Sequence, residues 1–503
     1  MDQTTTSRRA AAEENRRRGI RYPDSPEGNP ENLRRNGGRK FEFHLINVFF
    51  ILLFLALIAY FIFFLVVRSE SVISNSHNTR MNLYAERVLR GSILTADGKT
   101  IAESKTDEKG KETRSYPSGR MFAHVAGYTN NGKSGIESKY NFSLLRSHTF
   151  FLKQIYNDLL GKKSQGDSVV TTLNYKVQKA AYQALGDRKG AVVVLDVKTG
   201  KVLSMVSKPD FDPETLAAKW KKVTSDGSSS VLLNRASNGL YPPGSTFKIL
   251  TALEYIHEHK NYKDYSHHCT GSVTKGKTTI HCYGNTAHGT VNLQKAFEKS
   301  CNTAFSTIGL DLNIKKYRTL ADRMMFNQPL PTNLFSAASS RFTLEKKQGT
   351  AKIMTTAIGQ GDTLVSPLHM AMIAAAIDHN GVVMKPYAVD RVKNDTGLTV
   401  SSWSPETYGS IMDPSDAAVL KKFMRGVVTE GTARAMADDS YQAYGKTGSA
   451  EYNEKGDSHG WFVGFARKKG KRDIAIAVIV ENGGSGSSSA VPVAEKVFDT
   501  YFA

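Results

Sequence analysis

The chain contains one long stretch without a charged side chain, from Leu45 to Val67. A helix of this length, at about 1.5 Å per residue, extends roughly 35 Å and exceeds the bilayer hydrocarbon thickness of about 30 Å. A cleaved signal peptide has a shorter apolar core, followed by small residues at the cleavage site. The sequence around Arg68 offers no such site. The stretch therefore predicts a single, uncleaved transmembrane helix over 45–67.

The segment that precedes this helix is polar and basic. Residues 1–44 hold ten Lys or Arg and three prolines, with no apolar periodicity. Such composition predicts a disordered tail. Because basic flanks stay on the cytoplasmic side of a membrane, the tail is expected in the cytoplasm. Everything after Val67 is then extracytoplasmic, in a cell membrane that the chain crosses once.

The formal net charge of the chain is +20 at pH 7. The basic residues are spread along the chain rather than gathered in one arm or helix. Anionic lipid headgroups and cell-wall polymers are therefore the expected counter-charges. We predict no nucleic-acid binding.

A serine and a lysine follow a Pro-Pro-Gly turn, in the run Tyr241-Pro-Pro-Gly-Ser-Thr-Phe-Lys248. On a helix, Ser245 and Lys248 share a face, which brings the hydroxyl near the amine. A neutral lysine can take the proton from a serine and turn it into a nucleophile. Alone, however, Ser-x-x-Lys is a weak signal, since it occurs by chance on many exposed helices.

Two further motifs make the Ser245 and Lys248 pair a more specific signal. Ser300-Cys301-Asn302 follows the pair, and Lys446-Thr447-Gly448-Ser449 comes much later. Ser-x-x-Lys, a Ser-Asp-Asn variant and Lys-Thr-Gly, in this order, are the motifs of penicillin-binding proteins and serine β-lactamases. An earlier copy, Lys198-Thr199-Gly200, lies between two apolar strand-like runs and precedes the serine. We interpret this earlier copy as the turn of a β-hairpin.

Three cysteines lie on the predicted outer side of the membrane, where disulfides persist. Cys269 and Cys282 either close a small disulfide loop or remain as two inert thiols, and Cys301 is expected to be a small buried side chain. A metal site is the alternative, because several histidines are nearby: His267, His268, His281 and His288. The spacing matches no standard zinc pattern, so we predict no metal and no cofactor.

The remaining pattern divides the outer part into two domains. Residues 68–168 carry short strand-like pieces and turns and predict a small accessory domain. Within 169–503, an amphipathic helix is predicted at 174–185, a core helix at 369–377 and helical stretches up to about 430. Strand-like runs lie at 191–206 and 446–480, and a helix at 491–501. Strands at both ends with helices between them predict an α+β domain with one antiparallel sheet.

With these motifs the chain resembles a class B penicillin-binding protein, a membrane-anchored peptidoglycan D,D-transpeptidase. The likeness extends to Arg-Gly-x-Ile at 90–93, Tyr-Pro at 116–117 and Gly-Ile-Glu at 135–137, and includes Gly359-Gln360-Gly361 and the segment 429–433. The resemblance implies a short pedestal of the Gram-positive type at 68–168. It also implies a β-lactamase-like transpeptidase domain at 169–503, and no glycosyltransferase domain. The turn at 95–98 departs from the family pattern without affecting the catalytic assignment.

The resemblance also assigns roles to the motif residues. Ser245 attacks the carbonyl between two terminal D-alanines of a stem peptide, with Lys248 as base. Ser300 relays a proton to the leaving amine, and Asn302 holds the substrate amide and orients Lys248. Lys446 supplies a second cation. The substrate-binding residues are Thr447, Gly448 and Ser449: Thr447 binds the donor carboxylate with Lys446, and the backbone N–H groups of Ser245 and Ser449 form the oxyanion hole.

The implied ligands and partners are stem peptides, β-lactam antibiotics and a multi-span glycosyltransferase. A serine β-lactamase is the rival enzyme, but it requires an extra glutamate that the sequence does not identify. A transmembrane penicillin sensor needs more spans, and a silent scaffold does not need three intact motifs. Near the third motif, Glu451 either steers the acceptor amine or is simply solvated. Trp461 is expected in the core, and His459 is expected to be structural.

Overall fold

The computed structural model describes residues 30–64, 68, 85–225, 230–345, 347–437, 440–452 and 457–503. The chain divides into two units, residues 1–73 and 74–503. In the first unit, helix α1 spans Pro30–Phe63. Its segment Phe41–Phe63 has a mean hydropathy of 2.8 and is long and apolar enough to cross a membrane.

The apolar helix predicted at 45–67 is thus present, although residues 65–67 lie outside the described part. The disorder predicted for 1–44 is not observed at 30–44, which belongs to α1, whereas residues 1–29 lie outside the described part. Helix propagation explains the difference. Once the apolar segment is helical, each residue added at its N-terminal end gains one backbone hydrogen bond without a new nucleation cost.

The strands of the second unit, in its described part, are short in the first half of the chain and longer near the end. They are β1 (Val88–Leu89), β2 (Ile93–Leu94), β3 (Thr100–Thr106), β4 (Glu112–Ser115), β5 (Ser164–Gln165), β6 (Ser168–Thr171), β7 (Gly190–Asp196), β8 (Val202–Lys208), β9 (His267–Cys269), β10 (Ser272–Lys275), β11 (Thr278–His281), β12 (Gly289–Val291), β13 (Val382–Met384), β14 (Val389–Lys393), β15 (Thr399–Ser402), β16 (Thr407–Ser410), β17 (Gln442–Glu451), β18 (Ser458–Arg467) and β19 (Ile474–Val480).

The helices of this unit lie mainly between β8 and β17. They are α2 (Ala123–Ala126), α3 (Gly135–Lys139), α4 (Asn141–Leu145), α5 (Phe151–Leu159), α6 (Tyr175–Leu185), α7 (Leu216–Ser225), α8 (Lys248–Glu258), α9 (Leu293–Glu298), α10 (Asn302–Asp311), α11 (Ile314–Arg323), α12 (Thr350–Ala357), α13 (Pro367–Asp378), α14 (Pro414–Thr429), α15 (Gly486–Ser489) and α16 (Val491–Phe502).

The larger domain is built on a five-stranded sheet of order β17-β18-β19-β7-β8. Every neighbouring pair in it is antiparallel. Helix α13 packs on β7, β18 and β19, while α6 and α16 pack on each other and on the sheet. The predicted α+β fold with an antiparallel sheet and flanking helices is therefore confirmed. Strand β17 lies at an edge of this sheet.

Several local predictions are also confirmed. Helix α6 begins after Asn174, whose side chain accepts a hydrogen bond from the Val177 backbone N–H at 3.1 Å. The early Lys-Thr-Gly copy, residues 198–200, is the turn between β7 and β8. Asp196 stabilises this turn by accepting hydrogen bonds from Lys198 and Thr199. The helical stretches predicted up to about 430 are, however, interrupted by β13 to β16.

The accessory domain contains a second, six-stranded sheet with the order β15-β14-β6-β2-β3-β4. Strand β6 pairs in parallel with β2 and antiparallel with β14. Strands β14 and β15 come from the larger domain by sequence, so they complete the sheet of the smaller one. The predicted boundary at 168/169 therefore coincides with the start of a strand that joins both domains.

Candidate active site

The segment around Ser245 forms a 3-10 turn, Gly244–Phe247, that leads directly into α8. Gly244 has φ +52°, and a Cβ atom there would lie 2.7 Å from the carbonyl oxygen of Ser449. Only glycine combines this left-handed conformation with so close an approach to β17. The turn therefore places the half-buried Ser245 beside the strand that carries the Lys-Thr-Gly motif.

Lys248 is the first residue of α8, and its side chain is fully buried. Its ammonium donates to Ser300 O and Asn302 Oδ1, both at 2.7 Å, and lies 3.3 Å from Ser300 Oγ. Burial disfavours the charged form and lowers the pKa of Lys248 to about 7. A substantial fraction of this amine is neutral near physiological pH, as a general base requires.

Lys446 approaches the same serine from the opposite side. It lies on β17, is fully buried, and donates to Ser300 Oγ at 2.9 Å and to the Thr447 carbonyl at 3.0 Å. Burial, followed by the charge of Lys248, holds the pKa of Lys446 well below its ordinary value. The fold thus brings the second cation alongside, as the sequence led us to expect. For Lys248 itself, burial is the main cause of the lowered pKa.

Ser300 lies between α9 and α10 in a left-handed backbone conformation, with φ +56°. This conformation is uncommon for a residue with a side chain and is typical of functional sites. It points the hydroxyl of Ser300 between the two lysines. Asn302 accepts from Lys248 through Oδ1 and donates through Nδ2 to the His281 carbonyl at 2.9 Å. Asn302 therefore links Lys248 to the His281 carbonyl, and its expected role in orienting Lys248 stays a prediction.

The third motif lies along the exposed edge of the five-stranded sheet. Thr447 forms a short hydroxyl–hydroxyl hydrogen bond with Thr432. Gly448 has no room for a side chain, because a Cβ atom would lie 3.1 Å from the Pro243 carbonyl oxygen. Ser449 is half-buried and faces the same cavity as Ser245. An edge strand of this kind offers backbone groups to a peptide that binds in extended form.

These elements enclose a cavity of about 770 Å³. The motif residues that line it are Ser245, Ser300, Asn302, Thr447, Gly448 and Ser449. The two buried lysines lie behind Ser300. The structure therefore gathers the residues of the three motifs into one site, with a nucleophile candidate at its wall and a base candidate beneath.

The comparison with family models agrees with this geometry. The penicillin binding protein transpeptidase domain matches residues 190–499, and the penicillin binding protein A dimerisation domain matches residues 90–169. The chain belongs to the penicillin-binding transpeptidase family. It is a class B member, a D,D-transpeptidase, since the second matched model is a dimerisation domain and neither model is a glycosyltransferase.

Two curated relatives cover most of this penicillin-binding protein. The peptidoglycan D,D-transpeptidase PbpA of Mycolicibacterium smegmatis is 32% identical over 457 residues, which are 85% of this chain and 92% of that protein. The peptidoglycan D,D-transpeptidase MrdA of Acinetobacter baumannii is 30% identical over 453 residues, or 77% of this chain and 66% of that protein.

Solved structures show the same fold. Penicillin-binding protein A of M. tuberculosis, as an acyl-enzyme complex with ceftriaxone, has a TM-score of 0.76 and 28% identity. That match covers 84% of this chain and 99% of the solved one. A D,D-transpeptidase domain from Eggerthella lenta has a TM-score of 0.73 and 32% identity, covering 82% and 98%.

Among the cavity residues of this penicillin-binding protein that had no role in the sequence interpretation, two contact the strand of the third motif. Thr432 contacts Thr447, as described above, and Gln360 also lines the cavity. With its amide turned to satisfy both atoms, Gln360 pairs with the backbone N–H and carbonyl of Glu451 at 3.2 Å each. Both lie in segments that resembled the family, Gly359-Gln360-Gly361 and 429–433, so the signal was present without an assigned function.

Three residues near the third motif had open or structural interpretations. Trp461 is fully buried and donates from Nε1 to the Pro242 carbonyl at 3.0 Å, which confirms core packing. His459 accepts from the Asn482 backbone N–H at 3.2 Å and stacks on Tyr452, consistent with a structural role. Glu451 is exposed at the cavity wall, so the steering of an acceptor amine stays a prediction.

Proposed function

We propose that this protein cross-links peptidoglycan stem peptides through an acyl-enzyme on Ser245, and that β-lactams acylate the same serine. The observation that carries the proposal is the pair of buried lysines that donate to Ser300, a residue that lines the same cavity as Ser245. Lys248 combines full burial with a pKa of about 7, so it can act as a base near neutral pH. The names of the curated relatives, peptidoglycan D,D-transpeptidases, support the same substrate class.

In the first step, Ser245 Oγ attacks the carbonyl carbon between the two terminal D-alanines, and neutral Lys248 accepts the hydroxyl proton. The backbone N–H groups of Ser245 and Ser449 stabilise the oxyanion of the tetrahedral intermediate. The C–N bond then breaks. Ser300 relays a proton to the leaving amine, so D-alanine departs and an ester on Ser245 remains.

In the second step, an acceptor amine from a neighbouring strand attacks this ester. The C–O bond breaks, the new amide closes the cross-link, and Ser245 Oγ regains a proton. The acceptor amine loses one proton to Lys248, and Lys248 passes a proton to Ser245 Oγ. Lys248 thereby returns to its neutral form. Neither step needs a redox partner or a second substrate besides the acceptor strand.

The edge strand β17 binds the donor stem peptide. Thr447 is placed at the cavity wall to bind the terminal carboxylate, and Thr432 fixes its hydroxyl. Lys446 is buried behind them with its ammonium on Ser300. It supplies positive charge to the carboxylate site from below and orients the proton relay.

The proposed location is the cell membrane, crossed once by the apolar segment of α1. The ten basic residues before the span support a cytoplasmic N-terminus and a catalytic domain outside the membrane. A multi-span glycosyltransferase, which would polymerise the strands that this protein cross-links, is the proposed partner.

Labelling with a fluorescent penicillin tests the proposal. The full chain in detergent should acquire one label per molecule, and the label should persist for many minutes. Ser245→Ala should abolish labelling. Ser401→Ala, at an exposed serine of β15, is the matched control and should label like the parent.

Rapid turnover of the drug, with loss of the label, would instead identify a β-lactamase. Labelling that survives Ser245→Ala would place the nucleophile elsewhere. A labelled protein that does not release D-alanine from a stem-peptide donor would contradict the proposed substrate.

A further inference from the structure

Three cysteines and one histidine converge beside the Ser300 turn. Cys269 ends β9, Cys282 follows β11, and His288 precedes β12. Cys301 is the N-cap residue of α10. One ligand atom from each, a sulfur or an imidazole nitrogen, lies within 4.8 Å of all the others. All three cysteines are buried and free, and His288 is half-buried.

The distances in this cluster are those of a metal site rather than of a disulfide. Cys282 Sγ lies 3.7 Å from Cys269 Sγ and 3.8 Å from Cys301 Sγ. His288 Nδ1 lies 3.4 Å from Cys269 Sγ. A disulfide bond is about 2.05 Å long. A tetrahedron around Zn²⁺, with Zn–S bonds of about 2.3 Å, has sulfur–sulfur edges of about 3.8 Å.

We propose that this cluster is a structural zinc site, with the ligands Cys269, Cys282, His288 and Cys301. Three thiolates and one imidazole form a closed tetrahedral set of the kind that Zn²⁺ prefers in structural sites. The sequence led us to expect no metal because the spacing matched no standard motif. The fold explains the mismatch: the ligands come from two antiparallel strand pairs, β9–β12 and β10–β11, and from a helix start, which meet only in three dimensions.

The site has a direct connection to the catalytic turn. Cys301 stands between Ser300 and Asn302, so a metal bound to its thiolate holds both neighbours in place. Asn302 also donates to the carbonyl of His281, the residue next to Cys282. The left-handed conformation of Ser300 persists only if the surroundings enforce it. The bound metal would thus restrict the backbone around Cys301 and hold Ser300 and Asn302 beside Lys248.

Metal analysis of the purified full chain tests this proposal without relying on activity. We expect one zinc per chain, and Co²⁺ substitution should give the absorption bands of tetrahedral cobalt with thiolate ligands. His288→Ala should lose most of the metal and unfold at a lower temperature. His268→Ala is the matched control, because His268 is exposed on β9 and outside the cluster, and should keep its zinc.

Removal of the metal from the parent protein by a chelator should lower the melting temperature and slow penicillin labelling, with recovery when zinc is added back. A metal-free parent protein with normal labelling would overturn the proposal. So would a Cys269–Cys282 disulfide found by mass spectrometry. A parent protein that contains its full zinc but is not labelled by penicillin would instead contradict the proposed function. The failure of the zinc proposal and the failure of the proposed function are therefore distinguishable.

A second inference comes from α5, which has an unpartnered apolar face. Seven large side chains along it are between 50% and 81% exposed: Phe150, Phe151, Leu152, Ile155, Tyr156, Leu159 and Leu160. Within the helix they recur at the spacing of one helical face. The exposed Lys162 follows the helix, whereas Lys163 is paired with Glu112. Such an arrangement is typical of helices that lie in the interface of an anionic membrane.

The position of α5 within the second unit points to a membrane as the occupant. Lys163 donates to the Ala85 carbonyl at 2.7 Å, and β5, directly after α5, pairs with β1. Helix α5 thus lies where the chain enters the second unit, about 20 residues after the apolar segment ends. Such a tether raises the effective concentration of the bilayer to a level at which a small apolar face binds. We infer that α5 inserts this face into the membrane that α1 crosses, an inference that rests on the proposed membrane location.

Fluorescence quenching by spin-labelled lipids tests this inference on the full chain in vesicles that contain anionic lipid. A fluorophore attached at Leu159→Cys should be quenched strongly. A fluorophore at Lys109→Cys, in the exposed turn after β3, should not. Equal quenching at both positions would overturn the inference. Quenching that appears only after a glycosyltransferase is added would assign the face to a protein partner, whereas failure of the whole chain to enter vesicles would contradict the membrane location itself.

Discussion

At the scale of single residues, the site depends on one serine hydroxyl between two buried amines. Lys248 and Lys446 both reach Ser300 Oγ, at 3.3 and 2.9 Å. Two ammonium groups so close together in a buried site cannot both stay fully charged, because burial and mutual repulsion each favour the neutral amine. Lys248 has the more direct path to Ser245, since both belong to the same turn and helix start.

This arrangement predicts the pH dependence of acylation. In the proposed mechanism the active form of Lys248 is the neutral amine, so the rate of penicillin labelling should rise as pH increases through about 7 and then level off. Burial lowers the pKa of Lys248, and the charges of Cys301 and Cys282 raise it; the charge of Lys248 in turn lowers the pKa of Lys446 on β17. Stopped-flow labelling between pH 5 and about 9 measures the profile.

Variants at this lysine separate a base from a simple positive charge. Lys248→Arg keeps the charge but does not deprotonate near neutrality, so labelling should fall by about 100-fold or more at every pH. Lys263→Ala, at an exposed lysine after α8, should leave the profile unchanged. A Lys248→Arg variant with the parent rate and profile would show that the base is another group.

At the scale of elements, one buried carboxylate joins the motifs of the small domain. Glu137 on α3 is fully buried; Arg90 Nε donates to it at 2.6 Å and Arg114 Nε at 2.8 Å. Tyr116 donates to the same carboxylate at 3.2 Å. The sequence showed these residues as separate family-like segments. The structure shows that they are the partners in a single network of charges and hydrogen bonds.

Removal of this carboxylate should destabilise the protein. Glu137→Gln leaves two buried guanidinium groups without a counter-charge, and loss of one partner of a buried ion pair costs about 3–5 kcal/mol. Glu103→Gln, at a surface pair with Lys105, should change stability by less than about 1 kcal/mol. Thermal or denaturant unfolding of the full chain measures both; equal effects of the two variants would contradict the prediction.

Acid should act through the same carboxylate. Burial alone would raise the pKa of Glu137, but the guanidinium groups of Arg90 and Arg114 outweigh it and hold the pKa below its ordinary value. A carboxyl group with a lowered folded-state pKa stabilises the protein above its unfolded-state pKa, and this stability is lost as pH falls through the folded-state value. The parent should therefore lose stability in acid more steeply than Glu137→Gln.

At the scale of the whole molecule, the second unit is held together by shared strands. Strand β6 pairs with β2 of the small domain and β14 of the large one. Main-chain hydrogen bonds across a sheet resist bending, so these two parts form one compact unit from residue 74 onward. A boundary read from composition alone does not reveal this, because β14 and β15 lie more than 200 residues after β6 in the sequence.

The sequence by itself determined the class of the fold, the apolar helix, the three motifs that line the cavity and the distinction between the two Lys-Thr-Gly copies. These depend on local chemistry: hydropathy over a single helix, the spacing of a serine and a lysine within one turn, and apolar runs that flank a glycine turn. Each such signal is contained in a few neighbouring residues.

Only the tertiary structure decided which distant residues meet. It placed Lys446 and Lys248 on the same serine, Thr432 on Thr447, and the pedestal arginines on Glu137. It also brought three cysteines and a histidine to the distances of a metal site. Burial, pKa shifts and ligand geometry depend on distances between segments far apart in the chain, and such distances arise only when the sheets and helices pack.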